Sequence, residues 1–168
     1  PDLVLMLLVF FGGQMLVNDL VARMGWDHVD VGPFTAGVVT LGFVYGAYMA
    51  ETFRGAILAV PKGQLEAARA FGMSPFLVFR RILLPQMLRH ALPGFGNNWL
   101  VLLKATALLS VIGLDDMVRK AALAAGATRQ PFTFYFAVAL VFLALTTVST
   151  LLLAFAERRV RRGEARPA

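Results

Sequence analysis

The sequence predicts an all-α, polytopic helical membrane protein. Three observations carry this. Of its 168 residues, 58% are hydrophobic and only 15% are charged, where a soluble domain carries about a quarter charged residues. The apolar residues gather in long uncharged runs, the form that membrane spans take. The basic residues gather in the segments between those runs and lie mainly on one side of them. Mean hydropathy is +0.70. The chain contains no cysteine, so it offers no disulfide framework and no thiolate site.

The spans follow in order. Leu3 to Asn18 is uncharged and almost wholly apolar, and the first span is expected over about 2–22. Residues 31 to 50 carry no charge over 20 positions, and the second span is expected over 33–56. Ala91 to Leu114 holds one charge, Lys104, and the third is expected over 92–113. Residues 130 to 156 are uncharged for 27 positions, enough to cross with tilt; the fourth is expected over 131–156. Pro1 stands where an initiator Met is absent, and no basic segment or small-residue cleavage site precedes the first run. A signal peptide is therefore not expected, and an N-terminally truncated chain is.

Charge sets the orientation. Residues 51 to 90 hold six Lys/Arg and the tail from Glu157 holds five, together eleven of the sixteen in the chain. Four alternating spans put these two segments on the same side, expected to be the cytoplasm. The net charge of +6 is thereby explained without nucleic acid. Trp26 suits an interfacial anchor, and Trp99 lies near an expected span end.

The segment 59–90 is the one sizeable cytoplasmic insertion, ahead of a basic tail over 157–168. Val60-Pro61-Lys62-Gly63 forms a turn. Gln64 to Phe71 suits a short helix, with Leu65, Ala68 and Gly72 on one face. Gly72 can end that helix, Ser74 can cap the next, and Pro75 fits its first position. The second helix is expected to run to about Leu84, where Pro85 interrupts it or starts the next segment, with Phe76, Phe79 and Leu83 as its apolar face. In isolation this is a helix-turn-helix. A DNA-reading helix must enter a major groove, and this one is tied at both ends to membrane spans. A membrane-embedded enzyme needs acid-base or metal ligands clustered at one depth, and the sequence shows none; His28 and His90 have no metal spacing around them.

EAARAFGMSPFLVFRRILLP resembles the EAA loop of ATP-binding-cassette (ABC) importer permeases. The pattern falls on Glu66, Ala67, Ala68, Gly72, Ile82, Leu84 and Pro85 without departure. YGAYMAETFRGAILAVPKGQLEAARAFG and ALPGFGNNWLVLLKATALLSVIGLDDM extend the likeness to the polar amino acid permeases, in particular the Q-type membrane subunits of importers for histidine, lysine, arginine and ornithine. The resemblance implies a type I importer permease fold with four of about five spans present. It implies a subunit of the bacterial inner membrane that moves amino acids by alternating access, with basic amino acids as substrate and glutamine or another polar amino acid as the alternative. It implies as partners a cytoplasmic ATPase dimer, a second permease subunit, a periplasmic substrate-binding protein and membrane lipid. The seven EAA positions would couple to the ATPase. The chain holds no Gly-x-x-x-x-Gly-Lys-Ser/Thr phosphate loop, so it is expected to bind no cofactor, and ATP and Mg would be used by the partner.

Polar residues at membrane depth are costly and often functional. Tyr45, Tyr48 and Glu51 share a helix flank, as do Asn98, Thr106 and Ser110; with Asn97 and Lys104 they are the candidate substrate pathway. Each has a plainer reading. Glu51 and Arg54 can form an i, i+3 ion pair. Thr106 and Ser110 can bond their own helix. Asn97 and Asn98 can stabilise a helix break after Pro93-Gly94-Phe95-Gly96, and the tyrosines can simply pack. Lys104 lies fourteen residues after His90 and eleven before Asp115, near mid-membrane. It needs a carboxylate or backbone carbonyls there; it would repel a cationic side chain and attract a substrate carboxylate.

Overall fold

A computed structural model describes residues 2–161. Helix α1 (Asp2–Leu7) passes through a π-helical turn (Leu8–Gly12) into α2 (Gly13–Arg23). Then follow α3 (Pro33–Leu58), α4 (Lys62–Ala70), α5 (Pro75–Val78), a second π-helical turn (Phe79–Leu83), and α6 (Leu84–Ala105). A 3₁₀ turn (Thr106–Ser110), α7 (Met117–Thr128) and α8 (Pro131–Arg161) complete the chain. Among the described residues three helical stretches are long and apolar enough to cross a membrane: Leu3–Arg23, Pro33–Leu58 and Pro131–Val160.

The chain divides into two compact units. One holds the described residues of Pro1–Gly46 with Val101–Thr146; the other holds those of Ala47–Leu100 with Thr147–Ala168.

In the first unit Met6, Ala36, Leu41, Tyr45, Ala105, Leu109 and Ile112 form one buried cluster. Leu41 and Tyr45 are one helical turn apart on α3, so one face of that helix supplies both. Small residues permit the approach. A Cβ on Gly37 would overlap the Leu109 side chain. The buried Thr40 hydroxyl donates to Ala36 O at 2.8 Å, which satisfies it within its own helix.

Side chains stand in for secondary structure in the connector before α3. Gln14 Oε1 accepts from Val31 N at 2.6 Å, and Gln14 Nε2 donates to Val29 O. One turn further along α2, Asn18 Oδ1 accepts from Val29 N at 3.1 Å. This clamp fixes the irregular connector where Pro33 starts α3.

Segment 115–129, expected only as a connector, contains α7. Asp116 caps it by accepting from Arg119 N at 2.8 Å. Arg129 ends it in the left-handed conformation, φ 57° and ψ 31°.

The third expected span, 92–113, is not one helix. The α-helix that holds its first part starts earlier, at Leu84, and stops at Ala105. Beyond that point the hydroxyls take the local carbonyls: Thr106 Oγ1 donates to Leu103 O at 2.7 Å and Ser110 Oγ to Ala107 O at 2.8 Å. Bonds to the residue three back suit the tighter 3₁₀ winding seen there. Gly113, at φ 95°, then turns the chain away.

The second unit carries the segment 59–90. Here α6 passes close to α3 at a glycine: a Cβ on Gly94 would fall 2.8 Å from Thr52 Cγ2. It passes close to α8 at another, where a Cβ on Gly96 would lie 3.2 Å from a Leu153 methyl. Asn98 Nδ2 donates to Thr52 Oγ1 at 2.9 Å, and Thr52 Oγ1 donates to Tyr48 O at 2.9 Å. The expected break after Pro93-Gly94-Phe95-Gly96 is absent, for α6 continues through Pro93. The Thr52–Asn98 bond and the two close-packed glycines hold it against its neighbours there.

Candidate functional site

The segment 59–90 folds as a helix pair around a tight turn. Pro61, with φ −59° and ψ 124°, closes the turn after α3 and opens α4. At the other end of α4, Gly72 takes φ 78°. Gly72 N donates to Arg69 O at 2.9 Å, and Met73 N donates to Ala68 O at 3.2 Å. These two bonds are the Schellman closure, which requires a left-handed residue at the position Gly72 occupies. Ser74 follows with extended backbone, and its Oγ accepts from Leu77 N at 3.4 Å as the cap of α5. Pro75 is the first helical residue.

Of the two expected readings of Pro85, the structure takes the second: it stands at the start of α6, and the helical path is not interrupted there. Proline removes an N–H and crowds the carbonyl four residues back. Here the preceding residues, Phe79–Leu83, are wound as a π-helical turn, the wider winding that accommodates such a defect. The helical path therefore continues from Pro75 through Pro85 into α6.

The packed faces also differ from expectation. Ala68 and Val78 are the buried residues of the pair, and Val60, just ahead of it, is buried as well. Phe76 and Phe79, expected in the apolar face, are 68% and 45% exposed, and Phe71 is 89% exposed. Leu65 and Leu83 are half-buried. Small side chains thus form the contact between the helices and aromatic ones point away from it. A side-chain bridge closes the base of the pair: Gln86 Nε2 donates to Gln64 Oε1 at 2.6 Å and to Ile82 O at 3.0 Å. Glu66 and Ala67 are exposed, as are Gly72 and Pro85, while Ile82 and Leu84 are half-buried. Glu66 makes no ion pair among the described residues.

The matching family model, described as the inner membrane component of binding-protein-dependent transport systems, spans residues 1–162. The chain belongs to this family. It is 53% identical, over 99% of its length and 73% of the relative's, to the histidine/lysine/arginine/ornithine transport system permease protein HisQ of Escherichia coli K12. It is 46% identical, over 97% of its length and 69% of the relative's, to the octopine transport system permease protein OccQ of Rhizobium meliloti. Among solved structures it is similar to an amino acid ABC transporter crystallised with histidines. That likeness has a TM-score of 0.77 and 36% identity, and it covers 95% of this chain and 69% of that one. The chain is thus an all-α permease of the multi-pass membrane class.

The candidate pathway residues of this permease divide between the two units. Tyr45 is 3% exposed and packs in the core of the first unit. Thr106 and Ser110, in the same unit, bond their own backbone as described. Lys104 is exposed. In the second unit Tyr48 is exposed, and Arg54 Nη2 donates to Glu51 Oε2 at 2.7 Å, the i, i+3 pair. Asn97 is exposed, whereas Asn98 is half-buried on Thr52. Thr52 was not among the pathway candidates. Its partner lies 46 residues away, and no local pattern in the sequence points to it.

Proposed function

We propose that this permease moves amino acids, basic ones foremost, across the bacterial inner membrane as the membrane-spanning subunit of an ABC importer. A cytoplasmic ATPase dimer, using ATP and Mg, drives it by docking on the 59–90 helix pair. A second, related permease completes the pathway, and a periplasmic binding protein delivers the substrate. The chain itself is no enzyme.

The observation that carries this reading is the form of the EAA segment. Its seven pattern positions lie along a helix pair and its turn, which support themselves through Ala68, Val78 and the Gln64–Gln86 bridge, while Phe71, Phe76 and Glu66 are all exposed. A rigid, small element with an aromatic face and one free carboxylate is suited to seat in a groove of a soluble partner and to transmit a push. The relatives named for histidine, lysine, arginine and ornithine, and for octopine, support the substrate class.

Co-purification tests the docking. The tagged permease is expected to retain an ATPase subunit through detergent extraction, and Phe71→Asp with Phe76→Asp is expected to release it. An ATPase retained equally by that double variant would remove the role assigned to the aromatic face.

A further inference from the structure

The stretch Pro131–Val160 of α8 is long and apolar enough to cross a membrane. Its uncharged run ends at Ala156, and Glu157, Arg158 and Arg159 are the first charges after it. Beside these last turns lies an apolar groove of about 420 Å³. Leu92, Phe95 and Trp99 of α6 line it from one side, and Ser149, Leu152 and Ala156 of α8 from the other. All six residues belong to the second unit. The two helices meet where Gly96 approaches Leu153.

Charge stands at one end of this groove only. On α6, Arg89 precedes Leu92 by one turn on the same flank, and on α8, Arg159 follows Ala156 by one turn. Asn98 meets Met49, and Leu92 shares a cavity with Phe53, so α6 runs back along α3 from the segment 59–90. The bias of basic residues to one side of a membrane puts that segment and the end of α8 together. Arg89 and Arg159 therefore mark the same end, with Arg158 adjoining. None of these arginines makes an ion pair among the described residues, and neither does Glu157. Three arginines against one glutamate leave this end positive. The far end, at Trp99 and Ser149, lies in uncharged sequence.

The length of the groove is that of one leaflet. Ten residues separate Arg89 from Trp99, and ten separate Ser149 from Arg159. At about 1.5 Å per residue each flank runs about 15 Å, half of a hydrocarbon core about 30 Å thick.

We propose that this groove holds an acyl chain of an anionic phospholipid, with its phosphate on Arg89 and Arg159. An apolar helix of a protein partner could cover the lining, but it would leave the arginines unanswered. An anionic lipid answers both. Guanidinium groups meet phosphate oxygens in a matched fork, and basic pockets between spanning helices recognise anionic headgroups.

The test is quenching of Trp99 by phospholipids brominated on the acyl chain, in detergent micelles that hold the whole transporter complex. The signal of Trp99 is the difference between the wild type and Trp99→Phe. Brominated phosphatidylglycerol is expected to half-quench it at a mole fraction about fivefold or more below that of brominated phosphatidylcholine, the effect of one or two arginines near a lipid surface. Arg89→Gln with Arg159→Gln is expected to bring the two lipids level, and Arg89→Lys with Arg159→Lys to keep most of the preference. Equal quenching by both lipids in the wild type overturns the proposal without any variant. So does a preference that survives the glutamine pair, which would place the anionic lipid elsewhere on the surface. Quenching by neither lipid also overturns it, since a protein segment then covers the groove.

Discussion

Gln64 and Gln86 are joined side chain to side chain at 2.6 Å, across 22 residues of sequence. The bond ties the first turn of α4 to the first turn of α6, so the two ends of the EAA segment move together. The helix pair is therefore joined to α6 by a fixed base rather than by a loose loop. One neutral hydrogen bond contributes about 1 kcal/mol. Gln64→Ala and Gln86→Ala are expected to be non-additive, with each single change already losing most of the effect of the pair. Limited proteolysis of the 59–75 region, measured across the double-mutant cycle, reads this; strictly additive cleavage rates would show the bridge to be idle.

Gly72 answers to conformation and not to space. Nothing lies within 4 Å of a Cβ built on it, yet its φ is 78°. A side chain there costs about 1–2 kcal/mol of backbone strain, less for aspartate, which tolerates this region. Gly72→Asp is thus expected to insert and fold with the helix pair intact while losing uptake, because the new carboxylate stands at the exposed turn. Equal membrane levels with absent transport are the expected pair of readings.

Gly94 answers to space. Its added Cβ would meet Thr52 Cγ2 at 2.8 Å, and overpacking of this kind costs about 1–3 kcal/mol. Gly94→Ala should lower the melting temperature of the purified protein. Thr52→Ser removes the offending methyl and keeps the hydroxyl that Asn98 uses, so adding it to Gly94→Ala should recover most of the loss. Thr52→Val keeps the bulk and loses the bond; it should give no recovery.

Arg129 is the one non-glycine residue with positive φ among the described residues. Its position at the end of α7 asks for glycine. Arg129→Gly is expected to raise stability by about 1 kcal/mol, and Arg129→Val to lower it by more, in thermal melts of the two variants.

How far the sequence shows all this depends on the range of the interaction. The turn at Gly72 and the cap at Ser74-Pro75 are local chemistry and were legible from a few residues. The long apolar runs placed α3 and α8 for the same reason. Pro85 left two readings open, interruption of a helix or the start of the next, and a change of winding in the five residues before it decides for the second. Phe76 and Phe79 misled because apolar residues are expected inside, whereas this helix pair buries Ala68 and Val78 and leaves the rings exposed. The end of α6 at Ala105 was hidden because Thr106 and Ser110 act on their own backbone, which hydropathy does not register. Tyr45 in the core and Thr52 beneath Asn98 are set by helices brought together from distant parts of the chain.

The account turns most directly on uptake. Proteoliposomes holding the permease pair with its ATPase and binding protein should accumulate labelled arginine only when ATP and Mg are supplied. Unlabelled histidine and lysine should compete, glutamine should compete less, and Gly72→Asp should abolish accumulation. Uptake by Gly72→Asp at the wild-type rate, or arginine accumulation indifferent to ATP, would contradict the claim that this chain couples amino acid transport to an ATPase through its EAA helix pair.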